Sequence, residues 1–185
     1  MRIVAGRLRG RRLAAPSGIA IRPTSDRTRE SVFNILAARI DFDGARAIDL
    51  FAGTGALGIE ALSRGASFTL FVDDSAEGRA LVRTNVDTLG LQGVTKIFRR
   101  DATDLGRPGT MQPFNLAFAD PPYGKGLGEK AAACLLDGGW LKPDAMLVLE
   151  ERTANAPEVL AGYETIDRRD FADTTIGFFR PLAGK

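Results

Sequence analysis

Asp120-Pro121-Pro122-Tyr123 places a carboxylate, a stiff corner and an aromatic ring within four residues. Neither proline can donate to a strand ladder, so the apolar run Phe114–Ala119 ends there. Pro121 also drives Asp120 towards an extended backbone. Such a corner suits methylation of an amino group on a flat ring. An exocyclic base amine is a poor nucleophile, because its lone pair is delocalised into the ring. A carboxylate and a backbone carbonyl that each accept one N–H fix the nitrogen and favour a more pyramidal, reactive geometry. Tyr123 can stack on the base. Asp and Pro are also ordinary turn residues, so the corner is read together with what lies upstream.

Three more acids fall at the carboxyl ends of predicted strands: Asp49, Asp73 and Asp101. In open α/β sheets that end is where ligands bind. Between the first two, Gly53-Thr54-Gly55-Ala56-Leu57-Gly58 has the spacing of a nucleotide-binding glycine loop. Its glycines allow a tight turn and a close backbone approach to a ligand. Asp73, twenty residues after Gly53, is placed to accept hydrogen bonds from ribose hydroxyls. The pattern by itself fits NAD(H) as well as S-adenosylmethionine. Asp49 favours the second, because a carboxylate at the loop suits a cationic methionine group and not a pyrophosphate. Asp101 is placed to accept from an adenine amino group.

The elements that must position these residues alternate. Strands are expected at 45–51, 67–73, 94–99, 114–119 and 145–150, with helices from the glycine loop to Arg64, at 76–89 and at 126–136. Tyr163–Phe171 and Thr174–Phe179 read as a terminal antiparallel pair. This alternation predicts an α/β fold: a doubly wound, Rossmann-like, mostly parallel sheet of seven strands. Upstream, Thr24, Ser25 and Asp26 are N-cap candidates for a covering helix. Val32, Phe33, Leu36 and Ile40 form its apolar face, and Arg27, Arg29 and Glu30 are assigned to the opposite side. Ile3, Leu8 and Leu13 spaced among arginines, with Gly6 and Gly10, suggest a small basic β-hairpin.

The 185 residues suffice for one domain: an arm over 1–20, a covering helix over 21–44 and a core over 45–185. The chain has no histidine and one cysteine, Cys134. Histidine chemistry and an intrachain disulfide are excluded, and no metal is expected. No apolar run reaches a membrane span, and no signal peptide is visible, so a cytoplasmic protein is expected. The net charge of +2 hides an asymmetry: residues 1–40 hold nine arginines and two acids, whereas the remainder holds 16 basic and 21 acidic residues. A basic arm on an acidic body suggests a polyanionic partner. Five arginines fall between Arg2 and Arg12, and their planar forks suit phosphate.

The chain resembles the class I S-adenosylmethionine-dependent methyltransferases, and within them the bacterial RsmD-type enzymes that methylate guanine N2 in small-subunit (16S) ribosomal RNA. The resemblance rests on Arg2-Ile-Val-Ala-Gly6 with Gly10-Arg-Arg-Leu13, on Arg22-Pro-Thr-Ser-Asp-Arg-Thr-Arg-Glu-Ser-Val-Phe-Asn-Ile-Leu36, on Asp49 to Gly65, and on Asp120 to Tyr123. It implies that Asp49, Phe51, Ala52, Gly53, Thr54, Gly55, Asp73, Asp74, Asp101 and Ala102 hold S-adenosylmethionine. Asp120, Pro121, Pro122 and Tyr123 would hold the target base, and the Arg22–Glu30 segment would border the site. Arg7, Arg9, Arg11, Arg12 and Arg22 are the candidate RNA contacts. The implied target is guanine 966, in RNA or an assembling small subunit, with the protein acting as a monomer. Ser75 departs from the pattern, since the family often has an acid there. Other readings are an adenine-N6 or other amino methyltransferase on RNA or DNA, an NAD-dependent oxidoreductase, and a non-catalytic RNA-binding module.

Overall fold

In this computed structural model, residues 1–16 and 25–182 are described. Arg22 therefore lies outside the described residues, as do the N-cap candidate Thr24 and part of the segment expected to border the site. The elements in chain order are α1 (Asp26–Ala37), β1 (Arg46–Leu50), α2 (Ala56–Ser63), β2 (Phe68–Val72), α3 (Ala76–Leu89), β3 (Thr95–Phe98), β4 (Phe114–Ala119), α4 (Leu127–Gly138), β5 (Leu141–Arg152), β6 (Tyr163–Phe171) and β7 (Thr174–Pro181). Among the described residues no helix is long and apolar enough to cross a membrane.

The strands form one sheet in the order β3-β2-β1-β4-β5-β7-β6. The first five are parallel, and β7 runs antiparallel between β5 and β6. This is the mostly parallel, seven-stranded sheet with an antiparallel terminal pair that the strand–helix alternation predicts. Chain order reverses between β1 and β4, which opens a crevice at their carboxyl ends. The inner strands are apolar on both faces because both are covered. Ala47, Phe71, Leu116 and Phe118 pack under α1, α2, α3 and the arm. Ile48, Leu50, Leu70 and Ala117 pack under α4, Leu105 and Trp140. Ser25 caps α1 by accepting the Thr28 N–H. Ser75 caps α3 and Gly90 ends it in a left-handed conformation.

Two sequence expectations change and a third gains detail. The arm is the expected small antiparallel hairpin: the Arg2–Arg12 bridge closes it, and the Ile3, Gly10 and Leu13 amides donate to the Arg11, Ile3 and Met1 carbonyls. Several of its other amides are satisfied by side chains of α2. Val4 and Ala5 donate to the Glu60 carboxylate, and Leu8 donates to Ser63 Oγ. Arg29 is on the buried side of α1, not the exposed one. It stands three and four residues before Val32 and Phe33 and so shares their face. Its guanidinium reaches the Arg2 carbonyl and Asp26, with the buried Glu60 at 3.9 Å. Finally, β5 begins at Leu141, because the chain passes through Pro143 with a register shift against β4 and not a break.

Candidate active site

The carboxyl ends of β1, β2, β3, β4 and β5 converge on one cleft of about 1000 Å³. Asp73, Asp101, Asp120, Pro121, Pro122 and Tyr123 all line it. So do Phe51, Asp74 and Ala102. Asp49 and the loop residues Ala52 to Gly55 do not line it themselves, although Phe51 between them does. The N-terminal end of α1 contributes Ser25, Arg27 and Thr28, and the β6–β7 turn contributes Phe171 to Thr174.

The loop after β1 is shaped by left-handed backbone at Phe51 (φ 56°), Gly53 (φ 54°) and Gly55 (φ 75°). Phe51 is the costly one, since a residue with a side chain rarely adopts that conformation. Gly58 lets α2 sit close on the sheet: a Cβ there would lie 2.7 Å from Thr69 and 3.1 Å from Asp49.

Two carboxylates hold this loop from below. Asp49 accepts the Gly58 N–H at 2.9 Å, and Asp73 accepts the Gly53 N–H at 2.8 Å. Asp73 also accepts from the Ser75 amide and hydroxyl. Two amides of the loop, Gly53 and Gly58, thus already donate to carboxylates, a setting less suited to a pyrophosphate. Asp49 is almost fully buried. Burial pushes its carboxyl up to about 8, against the Gly58 N–H and with Asp73 adding to the rise. A buried acid in this condition fits a cationic ligand above the loop, because a positive charge restores its ionised form. Asp101 is exposed, and hydrogen bonds from the Thr103 hydroxyl and amide hold its carboxyl below the usual range.

At the β4 corner, burial and the neighbouring Glu150, Asp49 and Glu151 raise the Asp120 carboxyl well above the usual carboxylate range. Tyr123 donates its hydroxyl to Glu150 at 2.7 Å, which fixes the ring beside Asp120. Burial first, then Asp120 and Glu150, hold the Tyr123 phenol in its neutral form. Glu151 accepts the Gly124 N–H and so ties down the residue after the corner.

Sequence reasoning missed Glu150 and Glu151, both buried at the end of β5. The signal was present: Leu-Val-Leu-Glu-Glu is an acid pair closing an apolar strand, the same feature that singled out Asp73. The Phe171–Thr174 turn gave no such signal, because its place depends on β7 inserting between β5 and β6.

The arm arginines lie elsewhere. Arg7, Arg9, Arg11 and Arg12 are exposed and do not line the cleft. The Arg7 amide donates to the carbonyl of Ser63, at the far end of α2, and Arg11 reaches the Thr88 carbonyl of α3. The Asn85 side chain binds both Ala14 and the Thr54 carbonyl, so the arm is locked to the glycine loop as well.

The profile of the family described as conserved hypothetical protein 95 matches residues 1–180. Ribosomal RNA small subunit methyltransferase D of Escherichia coli (strain K12) is 40% identical over 165 residues, spanning 88% of this chain and 81% of the relative. The protein of the same name from Haemophilus influenzae is 35% identical over 152 residues, spanning 81% and 78%. The solved structure of yhhF from Escherichia coli superposes with a TM-score of 0.84 at 32% identity, covering 100% of this chain and 99% of that one.

Proposed function

The chain belongs to the RsmD family, described as conserved hypothetical protein 95, and from that premise we propose that it methylates the exocyclic N2 of a guanine in small-subunit ribosomal RNA. By family resemblance the target is guanine 966. One observation supports this most: the Asp120–Tyr123 corner and the acids Asp73 and Asp101 line the same cleft. One end of that cleft suits a nucleoside and the other an amine on a flat ring.

The residues present fit S-adenosylmethionine. Asp73 and Asp101 line the cleft as acceptors suited to ribose and adenine groups, and Asp49 is a buried acid at the loop suited to a cation. When bound, S-adenosylmethionine supplies an electrophilic methyl on its sulfonium sulfur. The rest is positioning. Asp120 accepts one N–H of the amine and the backbone carbonyl of Pro122 accepts the other. Tyr123, anchored by Glu150, presents its ring to the base. The raised proton affinity of Asp120 equips it to receive the proton that N2 loses. The target base must leave its stack to enter the cleft. On this reading the chain works as a single-domain cytoplasmic monomer, its arm meeting the RNA backbone through Arg7, Arg9, Arg11 and Arg12. Arg22 adds to that set by resemblance.

The test pairs the wild type with Asp120→Ala on small-subunit RNA and particles from cells lacking the protein. Wild type transfers labelled methyl. The variant binds S-adenosylmethionine with near-normal affinity and loses transfer by at least about a hundredfold. Loss of cofactor binding together with transfer would make Asp120 a structural residue and contradict the assignment.

A further inference from the structure

Asp120 follows β4 and Glu150 lies near the end of β5, at neighbouring positions. Ala119 pairs with Leu149, and Phe118 pairs with Val148, in a parallel ladder. The next residue on each strand therefore falls on the same sheet face. That face is the one beneath α1 and α2, where Phe118 and Val148 pack. Both acids line the cleft, and Glu150 is only 7% exposed. Parallel strands stand roughly 4.8 Å apart, so two carboxylates face the ligand side by side. Burial raises the proton affinity of Asp120 most, and the neighbouring Glu150 adds to the rise.

Purine amines differ in what stands beside them. Guanine N2 is flanked by N1–H, so its edge offers donors at both positions. Adenine N6 is flanked by N1 with a bare lone pair, so its edge offers a donor and then an acceptor. A pair of carboxylates matches the first and opposes the second. We infer that Glu150 is the base-selecting residue of this site, accepting N1–H of guanine while Asp120 accepts N2–H. The inference rests on the proposed guanine-N2 activity and adds the group that makes the corner choose guanine. The Tyr123 hydroxyl on Glu150 is compatible with it, since a carboxylate accepts up to about four hydrogen bonds. The Asp-Pro-Pro-Tyr corner holds an amine of either purine; the neighbouring strand end separates them.

The experiment uses a synthetic RNA spanning the methylated position, carrying either guanine or 2-aminopurine there. 2-Aminopurine keeps the N2 amine and replaces N1–H with a lone pair. Wild type should prefer guanine by at least roughly tenfold in kcat/KM, because a buried acceptor facing a lone pair is rejected. Glu150→Gln can turn its amide N–H towards that lone pair while its oxygen still accepts from Tyr123. Its preference should shrink by at least about fivefold, with S-adenosylmethionine affinity retained. The missing O6 of 2-aminopurine affects both enzymes and cancels in the comparison. Tyr123→Phe, which keeps the carboxylate, should lower both rates together and keep the preference. An unchanged preference in Glu150→Gln, or an equal loss of it in both variants, would overturn the inference while leaving guanine methylation intact. A wild type that methylates no guanine would overturn the functional reading itself and the inference with it.

Discussion

Asp49 is buried, raised to about 8, and faces Asp73 across the loop. That position costs stability in a definite pH window. Below about pH 4 the carboxyl is neutral in both folded and unfolded chains. Between its ordinary 3.8 and about 8 the unfolded chain releases the proton and the folded one retains it. Stability therefore falls as pH rises through that window. Asp49→Asn keeps an oxygen for the Gly58 N–H and removes the titration. Its urea midpoints should fall less between pH 5 and 8 than those of the wild type, by on the order of 3 kcal/mol in stability. The residual slope belongs to Asp120, which is raised as well. Identical slopes would place the titration outside Asp49. At this scale the sequence reveals the acids by one rule, a carboxylate at the end of an apolar strand. It hides the bonds between them, because Tyr123 to Glu150 and Gly53 to Asp73 span 27 and 20 residues.

The elements that hold the site depend on two close approaches. A Cβ on Gly6 would collide with the Ser63 carbonyl oxygen at the end of α2, and Gly6 has a φ of +76°. Gly6→Ala should loosen the arm from α2 without disturbing the sheet. Trypsin cleavage after Arg7, Arg9, Arg11 and Arg12 should then accelerate by roughly tenfold, reflecting a local loss of about 1.4 kcal/mol. Unchanged protection would mean that Glu60 and Asn85 hold the arm alone. Gly58→Ala drives a methyl between Thr69, Phe71 and Asp49. It should destabilise the whole domain by about 1–3 kcal/mol, read as a lower urea midpoint. Strand–helix alternation is legible in the sequence because both faces of the sheet are covered and the turns are marked by glycine and proline. The arm's hairpin is legible too, but its anchoring is not, because the Val4, Ala5 and Leu8 amides bond to Glu60 and Ser63, more than fifty residues away. For Arg29, charge points outward and spacing points inward, and spacing wins. Its position three and four residues before Val32 and Phe33 puts it inside, where Asp26 and Glu60 receive it.

Across the whole molecule, the arm runs the length of α2, with Arg7 at the end opposite the acidic cleft. Met1 touches Thr54 at the loop end, and Arg7 meets Ser63 at the other. Eight helical residues separate the two by roughly 12 Å. On the proposed function, Arg7 at the far end meets RNA backbone away from the base undergoing reaction, so that affinity and chemistry fall to separate surfaces. Replacing Arg7, Arg9, Arg11 and Arg12 with serine should reduce the salt dependence of RNA binding by about 0.7 in slope for every phosphate that the arm no longer neutralises. S-adenosylmethionine affinity should stay within about twofold, since none of the four lines the cleft. An unchanged slope would move the RNA path to another face. The most direct measurement is the identity of the nucleoside labelled when the wild type acts on small-subunit RNA from cells lacking it. N2-methylguanosine at a single position is the predicted product. N6-methyladenosine would contradict the paired-carboxylate account of the cleft, even with the same corner performing the transfer.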